Sequence, residues 1–146
     1  MNDSGKASWQ FIIDQLTSNK VALFSPLAPR SEEVLLARVG DGQYVELVLA
    51  EQLEGISYKL SLRRSKPHLF VVAIASIEEK TAWILPSAVF ERFAVNGVLD
   101  FESSFLDPLE SRLAIYKNRW VLISQFNKFR STLNDPTALQ VQLALG

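Results

Sequence analysis

Residues 33–50 read EVLLARVGDGQYVELVLA, and this segment has the sequence pattern of a β-hairpin. Two runs of mostly apolar residues, Glu33–Val39 and Gln43–Ala50, flank the tripeptide Gly40-Asp41-Gly42. Glycine adopts the positive φ angles that a tight hairpin turn requires. The stretch therefore predicts two antiparallel strands joined by a short turn.

Three further strands are predicted downstream of this hairpin. Residues 57–64 alternate, with Tyr58, Leu60 and Leu62 on one face and a basic outer face. Residues 69–75 are apolar throughout, which is typical of a strand covered on both faces. Residues 81–85 form a further short strand that ends at Pro86.

Helices are predicted on both sides of the strands. Residues 6–18 carry a buried stripe at i, i+3, i+4 and i+7, and residues 118–133 carry a similar stripe, formed by Leu122, Phe126, Phe129 and Leu133. Ser87 is expected to cap a brief helix, and Asp135-Pro136 to open a last one. The order predicts one α+β (mixed α/β) domain over residues 1–146, with helices flanking a central mixed sheet.

The composition excludes several classes of site. The chain has 146 residues, of which 48% are apolar and 21% charged, and it contains no cysteine and a single histidine, His68. Disulfide frameworks, thiolate zinc sites and cysteine nucleophiles are therefore excluded. No segment approaches the roughly 20 apolar residues of a membrane span, so we expect a soluble, cytoplasmic protein that does not bind membranes.

Charge is unevenly distributed along the chain. Residues 1–54 hold four basic and eight acidic side chains, whereas residues 55–146 hold eleven basic and eight acidic ones. No carboxylate occurs in residues 55–77 or 111–134, although both segments are basic. Such segments are compatible with a face that contacts phosphate groups.

The layout resembles the restriction-endonuclease-like, or PD-(D/E)XK, nuclease family from about Ala7 to Ile123. The resemblance rests on the initial helix, the hairpin with acidic residues, the ending Trp83-Ile84-Leu85-Pro86, and the aromatic segment Tyr116-Lys117-Asn118-Arg119-Trp120-Val121-Leu122-Ile123. It implies a restriction-endonuclease-like fold with a magnesium site on the hairpin. The chain would otherwise need no cofactor.

Carried onto this sequence, the resemblance places the metal-binding and catalytic acids at Glu33 and Glu46. The family's acid-x-Lys tripeptide would be Glu46-Leu47-Val48, in which Val48 cannot replace the lysine that steadies the attacking water. Lys59, expected on the neighbouring strand, could supply a substitute ammonium. The alternative interpretation is a scaffold whose catalytic centre has lapsed.

Nucleic-acid contacts are expected from the basic residues Lys59, Arg63, Arg64, Lys66 and Arg119. The alternative for the strand residues is a solvated edge protected by charge against aggregation. Near Arg119, Tyr116 and Trp120 interleave with basic groups as in single-strand binders, but they could instead pack the last helix on the sheet. His68 could act as a general base, or be an ordinary residue at a strand edge.

A third group of residues suggests association between copies. The segment from Phe90 to Leu106 is denser in apolar residues than one short helix needs, which is compatible with core or with a homodimer patch.

Three hypotheses for the function follow from the sequence. The first is a noncatalytic, degenerate nuclease-like domain that binds nucleic acid or a protein partner. The second is a metal-dependent DNA endonuclease with a rearranged site, and the third is a structural or assembly protein acting through an apolar surface.

Overall fold

The computed structural model describes residues 3–24, 34–39, 43–61, 65–102 and 109–145. The strands of these residues are β1 (Ala22–Phe24), β2 (Val34–Arg38), β3 (Tyr44–Leu49), β4 (Glu51–Gln52), β5 (Ser57–Lys59), β6 (Leu69–Ser76), β7 (Thr81–Pro86) and β8 (Val98–Asp100). The helices are α1 (Asp3–Ser18), α2 (Ser87–Phe93), α3 (Leu109–Arg112), α4 (Val121–Ser124), α5 (Phe126–Phe129) and α6 (Pro136–Leu145), with a 3₁₀ turn at Ala114–Tyr116. None of the helices in these ranges has the length and apolar character that crossing a membrane requires.

The larger sheet contains the predicted hairpin. Its strand order is β1-β2-β3-β6-β7, and β2 and β3 pair antiparallel with Leu35 opposite Leu47 and Leu36 opposite Glu46. β6 runs parallel to β3 and antiparallel to β7. The prediction of an α+β fold with a mixed sheet is confirmed, and the turn predicted at residues 40–42 lies outside the described residues.

The register of the hairpin decides which face carries Glu46. Leu35, Val45 and Leu47 are buried on one face of the sheet. Because side chains alternate along a strand, Glu46 points to the opposite face, together with Leu36. Glu46 is thus displayed on the face away from these three core residues.

β6 has the longest run of buried residues in the larger sheet. Residues 69–74 are all buried, and β6 lies between β3 and β7. A strand with both faces covered gains from apolar side chains at every position, which explains the unbroken apolar run in the sequence.

Lys59 lies in a smaller sheet, formed by β4, β5 and β8, and not in the sheet that contains Glu46. Of the predicted strand 57–64, residues 57–59 form β5, residues 60–61 are not strand, and residues 62–64 lie outside the described residues. Lys59 pairs with Glu51 of β4 and Val98 of β8. The prediction that Lys59 lies on the strand next to Glu46 is wrong, because the strands beside β3 are β2 and β6. Glu51 follows Glu46 by five residues, or about 16 Å of extended chain, so Lys59 is not placed beside Glu46.

Tyr58 joins the smaller sheet to the larger one. Its side chain is fully buried, and its O–H donates a hydrogen bond of 3.0 Å to the carbonyl oxygen of Ile74 on β6. Its ring meets the Phe101 ring edge to face, with centroids 5.7 Å apart. This burial raises the pKa of Tyr58 to about 12, because the phenolate would lose its hydration.

The first and last helices agree with the sequence patterns. Ile12 and Leu16 of α1 are fully buried. At the start of α6, Asp135 Oδ1 accepts hydrogen bonds from the backbone N–H groups of Thr137 and Ala138, at 3.0 and 3.2 Å. The predicted cap at Asp135-Pro136 is confirmed.

The prediction of one continuous helix over residues 118–133 is wrong. Two short helices, α4 and α5, are separated at Gln125, whose φ of −120° and ψ of 45° are not helical. The predicted apolar stripe is nevertheless buried, and it consists of Leu122, Phe126, Phe129 and Leu133. These four apolar side chains are therefore buried although the backbone does not form one regular helix.

Part of the apolar segment proposed as a dimer patch belongs to the core. Phe90, Leu99 and Phe101 are buried, whereas Val95 is 72% exposed. Phe105 and Leu106 lie outside the described residues. The homodimer stays a prediction, with less exposed apolar surface in the described part of this segment than the sequence suggested.

Candidate functional site

Glu46 is placed at the start of the parallel pair formed by β3 and β6. Its backbone N–H donates a 2.8 Å hydrogen bond to the carbonyl oxygen of His68, immediately before β6. The side chain of Glu46 is 17% exposed. The pairing of β3 with β6 therefore brings residues 66–68, which precede β6, to this carboxylate.

Two nitrogen-bearing side chains face the Glu46 carboxylate. Lys66 Nζ donates to Oε2 at 3.4 Å, and His68 Nε2 lies 4.0 Å from Oε1. The side chains of Lys66 and His68 are 49% and 46% exposed, respectively. An ion pair this accessible to water contributes only about 0–1 kcal/mol to stability, so both side chains remain available to a ligand.

The segment carrying Lys66 is fixed by the first residue of α2. Ser87 is fully buried, and its hydroxyl accepts a 2.9 Å hydrogen bond from Lys66 N and donates one of 2.8 Å to Lys66 O. The predicted role of Ser87 as a helix cap is wrong, because Pro86 occupies the N-cap position. Ser87 instead clamps the backbone of Lys66.

A second contact from α2 holds the residue before Lys66. Glu91 accepts hydrogen bonds from Ser65 N at 3.1 Å and from Ser65 Oγ at 3.4 Å. Together with Ser87, this carboxylate attaches residues 65–66 to α2. The position of Lys66 beside Glu46 is therefore set by backbone contacts as well as by its own ion pair.

The structure brings together only part of the predicted site. Glu46 and Lys66 meet, whereas Lys59 lies in the smaller sheet. Arg119 donates from Nε to the carbonyl oxygen of Ile115 at 3.0 Å, in the C-terminal part of the chain. Three other predicted site residues lie outside the described residues, namely Glu33, Arg63 and Arg64.

Lys66 was predicted only to bind nucleic acid, and His68 was not assigned to this cluster. The two residues flank Pro67 in the tripeptide Lys66-Pro67-His68, which carries no periodic signal. The available signal was their position just before an apolar strand, since a strand parallel to β3 would place its first residues beside Glu46. Local periodicity does not reveal which strands pair.

The described side chains at this site do not fit a magnesium ion. Magnesium takes oxygen ligands and usually at least one or two carboxylates. Glu46 faces an ammonium and an imidazole, and the described part of the chain holds no group of three or more His, Cys, Asp or Glu side chains that could bind a metal. The proposed partner acid Glu33 is outside that part.

The aromatic residues near Arg119 are not available for stacking on bases. Tyr116 is fully buried and Trp120 is 6% exposed. The Tyr116 O–H donates a 2.6 Å hydrogen bond to the carbonyl oxygen of Leu133. Both rings therefore pack the C-terminal segment, which agrees with the packing alternative and not with the single-strand binding one.

Comparison with solved structures shows a likeness in fold. The fold superposes on that of a bacterial homing endonuclease, I-Ssp6803I, with a TM-score of 0.59, covering 84% of this chain and 89% of that chain. Sequence identity is 18%, so the likeness shows a nuclease-like fold and not an activity. No protein-family model and no curated protein sequence matches the chain.

Proposed function

We propose that this protein is a nuclease-like domain that binds the phosphate backbone of nucleic acid without cutting it. The observation that carries the proposal is the pairing of Glu46 with Lys66 beside His68. The resemblance expects the Glu46 carboxylate to hold a metal, whereas here the Lys66 ammonium neutralises it. The nuclease-like fold adds support, because it is shared with a homing endonuclease.

Lys66 has two roles in this proposal. An ammonium has three N–H donors, and the one directed at Glu46 leaves two for a phosphate oxygen. Neutralising Glu46 also weakens the repulsion that its charge would exert on a phosphate. The same carboxylate-free segment, residues 55–77, supplies the further cations Lys59, Arg63 and Arg64.

A metal-dependent endonuclease is the second candidate, and one observation favours it. The position of the family's lysine is occupied by Val48, but Lys66 places an ammonium beside Glu46. Lys66 would therefore take the role that the sequence suggested for Lys59. This candidate also requires a second carboxylate, for which Glu33 is the sequence-based choice. Its magnesium dependence would distinguish it from the first candidate.

The substitution Glu46→Gln separates the two candidates. In the binding proposal it removes a negative charge near the phosphate, and we expect affinity for duplex DNA to rise about two- to fivefold, or roughly 0.5–1 kcal/mol. In the endonuclease candidate, wild-type protein cleaves DNA with magnesium or manganese, and Glu46→Gln abolishes the cleavage.

Glu79→Gln is the matched control, because Glu79 lies in the turn after β6, at the opposite end of that strand from His68. Binding and cleavage are measured on the same labelled DNA, at low and moderate salt, with and without the metal. Tighter binding by Glu46→Gln but not by Glu79→Gln, with no metal-dependent cleavage by wild type, supports the proposal. Metal-dependent cleavage, or absence of binding even at low salt, contradicts it.

A further inference from the structure

One end of the larger sheet leaves the face that carries Glu46 open to solvent. The partnered residues Ala22, Arg38 and Tyr44, which form a row across β1, β2 and β3, are all exposed. On the opposite face, the neighbouring residue Ala37 is fully buried. The core therefore lies on one side of these strands, and the row on the other side is accessible to a ligand.

Arg38 lies on the same face of the sheet as Glu46. It follows Leu36 by two residues on β2, and Leu36 is the partner of Glu46 on β3. Residues in this diagonal arrangement lie about 7–8 Å apart, a distance that a long side chain can span. Among the described residues, no carboxylate oxygen lies within 4.0 Å of the Arg38 guanidinium. Arg38 thus presents a charge that no described carboxylate neutralises.

Lys66 lies at the same end of the sheet as Arg38. Because β6 runs parallel to β3 with Leu69 opposite Glu46, the residues that precede Leu69 lie toward the start of β3. That start is Tyr44, the partner of Arg38. Lys66 therefore approaches Glu46 from the β6 side of β3, and Arg38 occupies the β2 side. Arg38 belongs to neither carboxylate-free segment of the sequence, and the strand register alone brings it to this site.

Positive charge predominates at this end of the sheet. Among the described residues of β2, β3 and the segment 65–68, the one acid is Glu46, and it is paired with the Lys66 ammonium. Arg38 therefore adds a positive charge beside a carboxylate that is already neutralised. The acids that border these two strands in the sequence lie outside the described residues, and they are Glu32, Glu33 and Asp41.

We propose that Arg38 is a second contact for the nucleic-acid backbone, which crosses the open end of the sheet from Lys66 to Arg38. This inference rests on the proposed function, because it extends the surface that begins at Lys66. A guanidinium binds a phosphate through two parallel N–H···O bonds, whereas an ammonium acts as a point charge. Two cations on either side of a neutralised carboxylate match a partner whose negative charges repeat at short intervals, as phosphates do about every 3.4 Å of axis along one strand of a duplex.

The test measures duplex DNA binding by the full chain as a function of salt concentration. Arg38→Gln should weaken binding about three- to tenfold at about 0.1 M salt and lower the slope of log affinity against log salt by about 0.9, the value of one phosphate contact. The double variant Arg38→Gln/Lys66→Gln should lower the slope by about 1.8, the value of two such contacts. Arg38→Lys retains the charge and should keep the wild-type slope.

Lys80→Gln is the matched control, because Lys80 is an exposed cation in the turn after β6, at the opposite end of that strand from Lys66. It should leave affinity and slope unchanged. Since Arg38 is exposed, Arg38→Gln should also unfold at the same urea concentration as wild type, which shows that a loss of binding does not come from a loss of folding.

The possible results separate this inference from the proposed function. If Lys66→Gln loses affinity and slope while Arg38→Gln behaves like Lys80→Gln, the Arg38 contact is refuted and the proposed function stands. Equal weakening by Arg38→Gln and Lys80→Gln also overturns the contact, because net charge then accounts for the loss. Absence of saturable DNA binding by wild type refutes both.

Discussion

The clamp formed by Ser87 gives a sharp prediction about stability and binding together. Replacing Ser87 with alanine removes the hydroxyl that bonds both Lys66 N and Lys66 O. The carbonyl keeps a second partner, because Leu69 N donates to it at 3.2 Å. The amide N–H of Lys66 loses its 2.9 Å hydrogen bond to Ser87 Oγ, so residues 65–68 should become less ordered.

The expected loss of stability follows from these two bonds. A net hydrogen bond contributes about 0.5–1.5 kcal/mol, and the partial compensation at the carbonyl places the total near 1–2 kcal/mol. With a urea slope of about 1.5–2 kcal/mol per molar, the unfolding midpoint should fall by roughly 0.5–1.3 M urea. The amide of Lys66 should also exchange its hydrogen faster.

Ser76→Ala is the matched control for this measurement. The Ser76 hydroxyl accepts one 3.1 Å hydrogen bond from Glu79 N at the other end of β6, in an exposed turn. We expect a loss of about 0.5 kcal/mol or less from this variant, with no change in DNA affinity. Folded Ser87→Ala protein should bind duplex DNA at least threefold more weakly. The reasoning is refuted if Ser87→Ala shifts the midpoint no more than Ser76→Ala does and leaves the Lys66 amide protected.

Two further predictions concern the smaller sheet and its attachment. Gly97 has a φ of +79°, and an added Cβ would lie 3.2 Å from the carbonyl oxygen of Leu60. Gly97→Ala should therefore lower the free energy of unfolding by about 1–2 kcal/mol. An unchanged urea midpoint would contradict this prediction. Since burial raises the pKa of Tyr58 to about 12, the unfolded state releases this proton at lower pH than the folded state, and stability should fall as pH rises from about 10 to 12. Tyr58→Phe should reduce this alkaline fall measured by urea unfolding, and an identical pH profile in the variant would count against the assignment.

Local patterns predicted those elements whose burial follows a simple period. Leu35 and Leu47 fall on the buried face of the hairpin, and residues 69–74 form the buried strand expected from an unbroken apolar run. The same reasoning was wrong at Gln125, because the apolar spacing continues through a residue whose backbone is not helical. Apolar periodicity indicates which side chains are buried, but more than one backbone conformation can bury the same side chains.

The site depended on pairing between distant strands, which local patterns do not encode. Glu46 was identified from the hairpin, but Lys66 reaches it only because β6 runs parallel to β3. Ser87 shows the same limitation, since a serine before an apolar helix fits a cap, whereas its hydroxyl binds the loop 21 residues earlier. Lys59, expected at the site, lies instead in a sheet that the sequence pattern did not separate from the larger one.

The most direct test of the proposed function is the salt dependence of duplex DNA binding by wild type, Lys66→Gln and Lys80→Gln. Lys80 is an exposed lysine after the end of β6, about 26 Å along that strand from the residues that precede it, and its substitution removes the same charge. Lys66→Gln should lower affinity about three- to tenfold at 0.1 M salt and reduce the slope of log affinity against log salt by about 0.9, the value of one phosphate contact. Lys80→Gln should leave both unchanged. Equal slopes and affinities for wild type and Lys66→Gln would contradict the account.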